Sequence, residues 1–205
     1  MIRTLIATLA VLLIGVSALA GLTHGFSALT TETARREAVA ARPIEIPALV
    51  GVDQFGQHQA MVTSGDTRVA IVDFIYTRCT SICLALGDSY QRLQDQILAA
   101  HLEQRLRLVT VSFDPVHDTP AAIADYADRM RVNPAVWTVL TPDDPAQLRT
   151  AMSTFGVIAK AADFGQFVHN AAFNIVDRHG RLARIVPIDQ PRLALQTARQ
   201  VDALP

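Results

Sequence analysis

Little in this chain of 205 residues would hold it together covalently or draw it to a polyanion. It has two cysteines, and 18 Lys and Arg against 19 Asp and Glu give a formal net charge of -1. Without a basic surplus there is nothing to neutralise a phosphate backbone, so nucleic acid is excluded as an expected partner. No internal repeat is visible, and one full-sized domain is the default for a chain of this length. No peroxide-activating motif surrounds either cysteine, which sets a peroxidase aside.

What is present is apolar: half the residues are hydrophobic. Part of that belongs to Leu5–Leu22, an uncharged run behind Met1-Ile2-Arg3. The run is longer than the usual signal-peptide core of about 7–15 residues and long enough to cross hydrocarbon as a helix. Length favours an uncleaved signal anchor over residues 1–22. Ala18-Leu19-Ala20 instead fits a signal-peptidase site, and Arg35 and Arg36 stand close downstream on the outer side, which argues for a cleaved signal peptide. In both cases the folded part is exported. Residues 23–47 mix Thr, Ala, Arg and Glu with Pro43 and Pro47 and read as a linker. The domain is expected over 48–205.

That domain opens with a hairpin, Ala48–Val52 and a turn at Phe55-Gly56-Gln57. Arg68–Tyr76 is a nearly continuous apolar run, as for a central strand buried on both faces. Leu84, Leu86, Tyr90, Leu93 and Ile97 then recur at helical spacing to about His101. Leu106–Phe113 is a second strand, ended by Asp114-Pro115. Thr119-Pro120 and Asp144-Pro145 each place a cap before a proline and predict helix starts, with a short strand at Ala135–Leu140 between them. Gly156–Phe167 reads as a loop. Phe173–Asp177 and Leu182–Val186 flank Arg178-His179-Gly180 as a hairpin, and a last helix follows Pro191. The order predicts an α/β fold, a thioredoxin-like three-layer sandwich whose sheet is mostly parallel with an antiparallel edge hairpin, preceded by an N-terminal apolar helix.

Cys79 and Cys83 sit where the central strand hands over to a helix. Their loop is too short for a disulfide to restrict the unfolded chain much, so the pair suits chemistry better than stapling. At helical spacing, i and i+4 share a face about 6 Å apart, and a helix N-terminus favours the thiolate. Two thiolates suit Cu(I), and an added imidazole gives a set that also holds Cu(II). Six histidines are candidates. His24, His58, His101 and His179 fall in the linker, an early loop, a helix end and a hairpin turn, where surface roles explain them. His169 and His117 lie near strand ends, and position alone favours His169 narrowly.

Phe74-Ile75-Tyr76-Thr77-Arg78-Cys79-Thr80-Ser81-Ile82-Cys83, then Val111-Ser112-Phe113-Asp114-Pro115-Val116-His117-Asp118-Thr119-Pro120, Trp137–Thr141 and a late His169 resemble the Sco/SenC family. Those proteins are membrane-tethered, thioredoxin-like copper chaperones for cytochrome c oxidase assembly. The resemblance runs from Ala48 to the C-terminus. It implies Cys79, Cys83 and His169 as ligands for copper, as Cu(I), Cu(II) or both, and a cytochrome c oxidase subunit or another copper protein as acceptor. It also implies a bacterial inner-membrane location with the domain in the periplasm, or a periplasmic one after signal cleavage. Such delivery needs no enzymatic turnover. The alternative is a thiol-disulfide oxidoreductase or redox sensor using the same cysteine pair. The sequence departs from the family where Thr80-Ser81 replaces Pro-Asp and Leu84 replaces Pro. Val168 and Asn170 likewise replace Asp and Ser or Thr beside the histidine.

Overall fold

The computed structural model describes residues 2–22, 30–63, 65–79, 82–163 and 166–204, by backbone alone at 22 and 82–85. The chain forms two compact units, Met1–Arg42 and Pro43–Pro205. The first holds α1 (Ile2–Leu22), uncapped by acid or base, whose apolar side chains are exposed along its length. It is long and apolar enough to cross a membrane. The same unit holds α2 (Thr31–Ala41), within the stretch expected to be a linker. A polar helix was not signalled by apolar spacing. It forms from local terms: Thr30 caps the Thr33 amide, and Glu32 pairs with Arg36 one turn on at 3.2 Å, the i,i+4 arrangement that supports exposed helices.

The second unit starts at Pro43, earlier than expected, because β1 (Ile44–Glu45) pairs with a late strand. It is followed by β2 (Val50–Asp53), β3 (His58–Ala60), β4 (Val69–Ile75), α3 (Ile82–Ala99), β5 (Leu106–Ser112), α4 (Pro120–Arg129), β6 (Trp137–Pro142), α5 (Pro145–Phe155), β7 (Ala159–Ala161), β8 (Phe167–His169), β9 (Ala172–Val176), β10 (Arg181–Pro187) and α6 (Pro191–Asp202). The main sheet runs β1-β10-β9-β4-β5-β6-β2-β3. Only β4, β5 and β6 are mutually parallel. Every other pairing is antiparallel, so the mostly parallel sheet with one edge hairpin becomes a parallel centre with antiparallel flanks on both sides. The physical reason is that the opening hairpin does not stand alone: β2 pairs with β6. Gly51 permits this, since a Cβ there would lie 2.4 Å from the Thr141 carbonyl oxygen.

The three layers form as expected. All seven residues of β4 and of β5 are buried, which accounts for their largely apolar character. One face packs on α3, where Tyr90 meets Trp137 and Phe173 at ring distances of 5.4 and 5.9 Å. Met130, closing α4, seats on Gly87 of α3, and α6 lies beside α3. The opposite face carries α5, whose Phe155 meets Phe74 in a tilted pair at 5.1 Å. Thr119 and Asp144 cap α4 and α5 ahead of Pro120 and Pro145, as the cap-then-proline pattern predicts.

One carboxyl is set into this core. Asp73 of β4 is 1% exposed, and neither oxygen has a hydrogen-bond partner among the described residues. Burial pushes its pKa up to about 7, although Thr110 and Tyr90 stand beside it and act the other way. Tyr90 donates its hydroxyl to the Ile71 carbonyl at 3.1 Å, while the Thr110 oxygen accepts from the Trp137 indole at 2.9 Å.

Between the unfolded carboxyl's pKa near about 4 and the folded value, the unfolded chain binds fewer protons, so stability falls as pH rises through that window. The loss is at most roughly 4 kcal/mol by pH 8. Asp73→Asn is expected to flatten the pH dependence and to be relatively stabilising at pH 8. Urea unfolding of the detergent-solubilised chain at pH 4.5 and pH 8 checks this, and equal pH dependence in both proteins would refute it.

Candidate metal centre

Beyond Ile75 the chain leaves the sheet and its backbone donors lose their strand partners, so something else must satisfy them. Asp118 does. Fully buried, it accepts from the Thr77 amide at 3.0 Å, from the Thr77 hydroxyl at 2.6 Å and from the Ser112 hydroxyl at 2.5 Å. Ser112 in turn accepts from the Asp114 amide at 3.0 Å. The Asp114 carboxylate takes Arg78 at 2.8 Å and the His117 Nδ1 at 2.9 Å. The residues ahead of Cys79 are therefore held from the far side by the segment after β5. The register pairing Ile75 with Ser112 brings that segment there.

Cys79 follows at once, 6% exposed, its amide donating to the Tyr76 carbonyl at 3.2 Å. It lies outside α3, so the expectation that both cysteines share a helix face is not met; Cys83 alone is in the first turn of α3. The Cys83 side chain lies outside the described residues, as do Thr80 and Ser81.

His169 arrives on an element absent from the sequence reading. The stretch expected to be a loop folds as a two-stranded sheet, β7 against β8, with Ala159 opposite His169. The His169 ring packs edge-on against Phe113 at 5.1 Å and Tyr76 at 6.0 Å, and Phe167 joins both at 5.5 and 5.2 Å. Burial in this shell lowers the His169 pKa, against a smaller opposing effect of its hydrogen bond to Asn170. The ring is thus neutral at pH 7, and Nδ1 lies 3.0 Å from the Asn170 carbonyl. A carbonyl can only accept, so Nδ1 carries the proton and Nε2 the lone pair that a metal uses.

Tyr76 thus meets both candidates, Cys79 through its carbonyl and His169 through its ring. His117 is half-exposed on Asp114, explained by that hydrogen bond. His58 pairs with Asp143 at the surface, and His101 and His179 are exposed at a helix end and a turn. His24 lies outside the described residues. The aromatic shell and the Asp118 lock were not foreseen, although both were present in the quoted motifs: aromatic residues before Cys79, and the two aspartates of Asp114-Pro115-Val116-His117-Asp118. Among the described residues no cluster of three His, Cys, Asp or Glu forms a metal site.

Residues 50–201, about three quarters of the chain, match the sequence model of SCO1/SenC. The chain belongs to the SCO1/SenC family. It is similar to the SCO1 protein homolog of Bacillus subtilis (strain 168), 25% identical over 119 residues, covering 57% of this chain and 61% of that protein's length. BsSco, a Sco-family cytochrome c oxidase assembly protein with an identified disulfide switch, has the same fold at a TM-score of 0.68. It is 20% identical, covering 80% of this chain and 96% of that one. Yeast Sco1 with copper bound follows at 0.64 and 16% identity, covering 80% and 91%.

Within this SCO1/SenC domain the Asp118 lock makes a direct prediction. Asp118→Ala strands the Thr77 amide and the Ser112 hydroxyl, each costing about 1–3 kcal/mol when buried without a partner. The variant is expected to lose a few kcal/mol in urea unfolding and to react faster with a thiol reagent at Cys79 under native conditions. Unchanged thiol reactivity would mean the lock does not hold the cysteine segment.

Proposed function

We propose that the chain is a copper-binding metallochaperone, binding copper through Cys79, Cys83 and His169 and delivering it to a cytochrome c oxidase copper site. The observation that carries this reading is the joint attachment of Cys79 and His169 to Tyr76, with His169 neutral and its Nδ1 proton directed to Asn170. A neutral imidazole with a fixed tautomer, on the same tyrosine as a buried cysteine that follows a central strand, is the donor chemistry a copper cargo requires. Family membership and the copper bound in yeast Sco1 support it. Transfer proceeds by ligand exchange and consumes no substrate.

The second reading, thiol-disulfide exchange or redox sensing by Cys79 and Cys83, draws support from the disulfide switch of BsSco. The two part at His169, which Cu(II) needs and disulfide exchange does not. Replacing both cysteines with serine is expected to abolish tight Cu(I) binding. His169→Ala should remove the thiolate-to-Cu(II) charge-transfer band, leave a weaker Cu(I) site and barely move the dithiol potential, while His117→Ala behaves as wild type. Competition titration and absorption spectra check this. A copper-silent wild type that reduces a partner disulfide would establish the second reading instead.

We further infer that α1 anchors the protein in the bacterial inner membrane with the domain in the periplasm. The run of exposed apolar side chains supports this. The mature protein is then expected to keep its N-terminal peptide and to stay with membranes through a high-salt wash. A mature N-terminus near Gly21 would show a cleaved signal.

A further inference from the structure

The β7–β8 hairpin is a slight structure for the group it carries. Each strand has three residues, and among the described residues the pair joins no strand of the main sheet. Val168 is 68% exposed. A hairpin of this size is marginal on its own, so its position depends on what ties it to the domain. At its base, Asn170 uses both ends of its amide, accepting from the Ile158 amide at 2.7 Å and donating to the Gly156 carbonyl at 2.9 Å. At the start of β8 the tie is Tyr76. Its hydroxyl donates to the Gln166 Oε1 at 2.9 Å and accepts from the Phe167 amide at 3.2 Å. One phenol thus serves as donor and acceptor to two consecutive residues of the hairpin, from a ring that is 2% exposed. The same residue's carbonyl takes the Cys79 amide.

We propose that the Tyr76 hydroxyl is a positioning group that couples the cysteine segment to the His169 hairpin, so that the imidazole is presented to the thiolates before the metal arrives. This rests on the copper-binding reading for its consequence, though not for the coupling itself. A phenylalanine at position 76 keeps every ring contact and loses both hydrogen bonds. The hairpin then spends a smaller fraction of time docked, and apparent affinity falls in proportion to the competent fraction. Two lost hydrogen bonds translate into a weakening of about ten-fold for Cu(II), which needs the imidazole. Cu(I), held by two thiolates, changes little.

The test compares the detergent-solubilised full chain with Tyr76→Phe and Gln166→Ala. Copper-free His169 is probed by its rate of modification with diethyl pyrocarbonate, read by peptide mass spectrometry against His58 in the same sample. Cu(II) and Cu(I) are titrated separately. Tyr76→Phe is expected to speed His169 modification several-fold with His58 unchanged, to weaken Cu(II) about ten-fold and to leave Cu(I) within two-fold. Gln166→Ala moves the same readouts in the same direction by less. Equal His169 modification rates in Tyr76→Phe and wild type overturn the coupling. Equal weakening of Cu(I) and Cu(II) also overturns it, because the hydroxyl would then act on the whole site. If wild type binds neither Cu(I) nor Cu(II), the copper reading fails; in that case, and where it binds Cu(I) alone, the modification rates decide the coupling.

Discussion

The site hangs from one buried carboxylate. Asp118 accepts three hydrogen bonds at the point where β4 leaves the sheet, and without them the Thr77 amide would be a buried donor with no partner. A charge with no exposure persists only where donors surround it, and here two come from Thr77 and one from Ser112. Those donors are available because β4 and β5 run parallel in a register that sets Ile75 against Ser112. Strand order, carboxylate and cysteine position therefore form one causal sequence, in which the parallel centre of the sheet fixes where Cys79 can be.

The other half of the site is built on different terms. His169 stands on a short hairpin outside the main sheet, held by an aromatic shell and a few side-chain hydrogen bonds. On the copper-delivery reading proposed above, the contrast suits a cargo better than a resident metal. A ligand that must be surrendered is easier to release from an element with few ties than from a strand paired on both sides. Selection of the imidazole tautomer is local as well, since the Asn170 carbonyl that takes the Nδ1 proton is the next residue in the chain.

Much of this was legible from residue order. The buried strands were readable because a strand covered on both faces has no polar side to show, and the helix starts at Thr119-Pro120 and Asp144-Pro145 because capping chemistry is local. The apolar run of Arg68–Tyr76 and the helical spacing after it placed the cysteines at the end of the central strand. What escaped the reading was set by tertiary partners or by weak local signals. β7 and β8 are three residues each, too short for a period to register, and α2, with Val39 its one buried residue, carries no apolar stripe. The direction of β2 against β6 depends on a close approach at Gly51 that no pattern of apolar residues encodes. Asp73 was hidden in the apolar run that made β4 recognisable, and its neighbours Tyr90 and Thr110 come from a helix and a strand distant in the chain.

The departures beside the histidine follow from the same geometry. Asn170 stands where the family commonly has Ser or Thr, and a hydroxyl has one proton on a shorter arm. The Asn170 amide accepts from Ile158 and donates to Gly156 at once, joining the hairpin base to the residue in left-handed conformation that closes α5. Val168 points outward, opposite Lys160, so the acidic residue common in the family would lie on the exposed face of β8. By strand alternation that is the face His169 does not share. The histidine's surroundings in this chain are thus set by Asn170 from below and Tyr76 from the side. Both touch the imidazole directly, Tyr76 ring against ring and Asn170 through its carbonyl, and both also hold the hairpin that carries it, which orients His169 without adding a charge next to it.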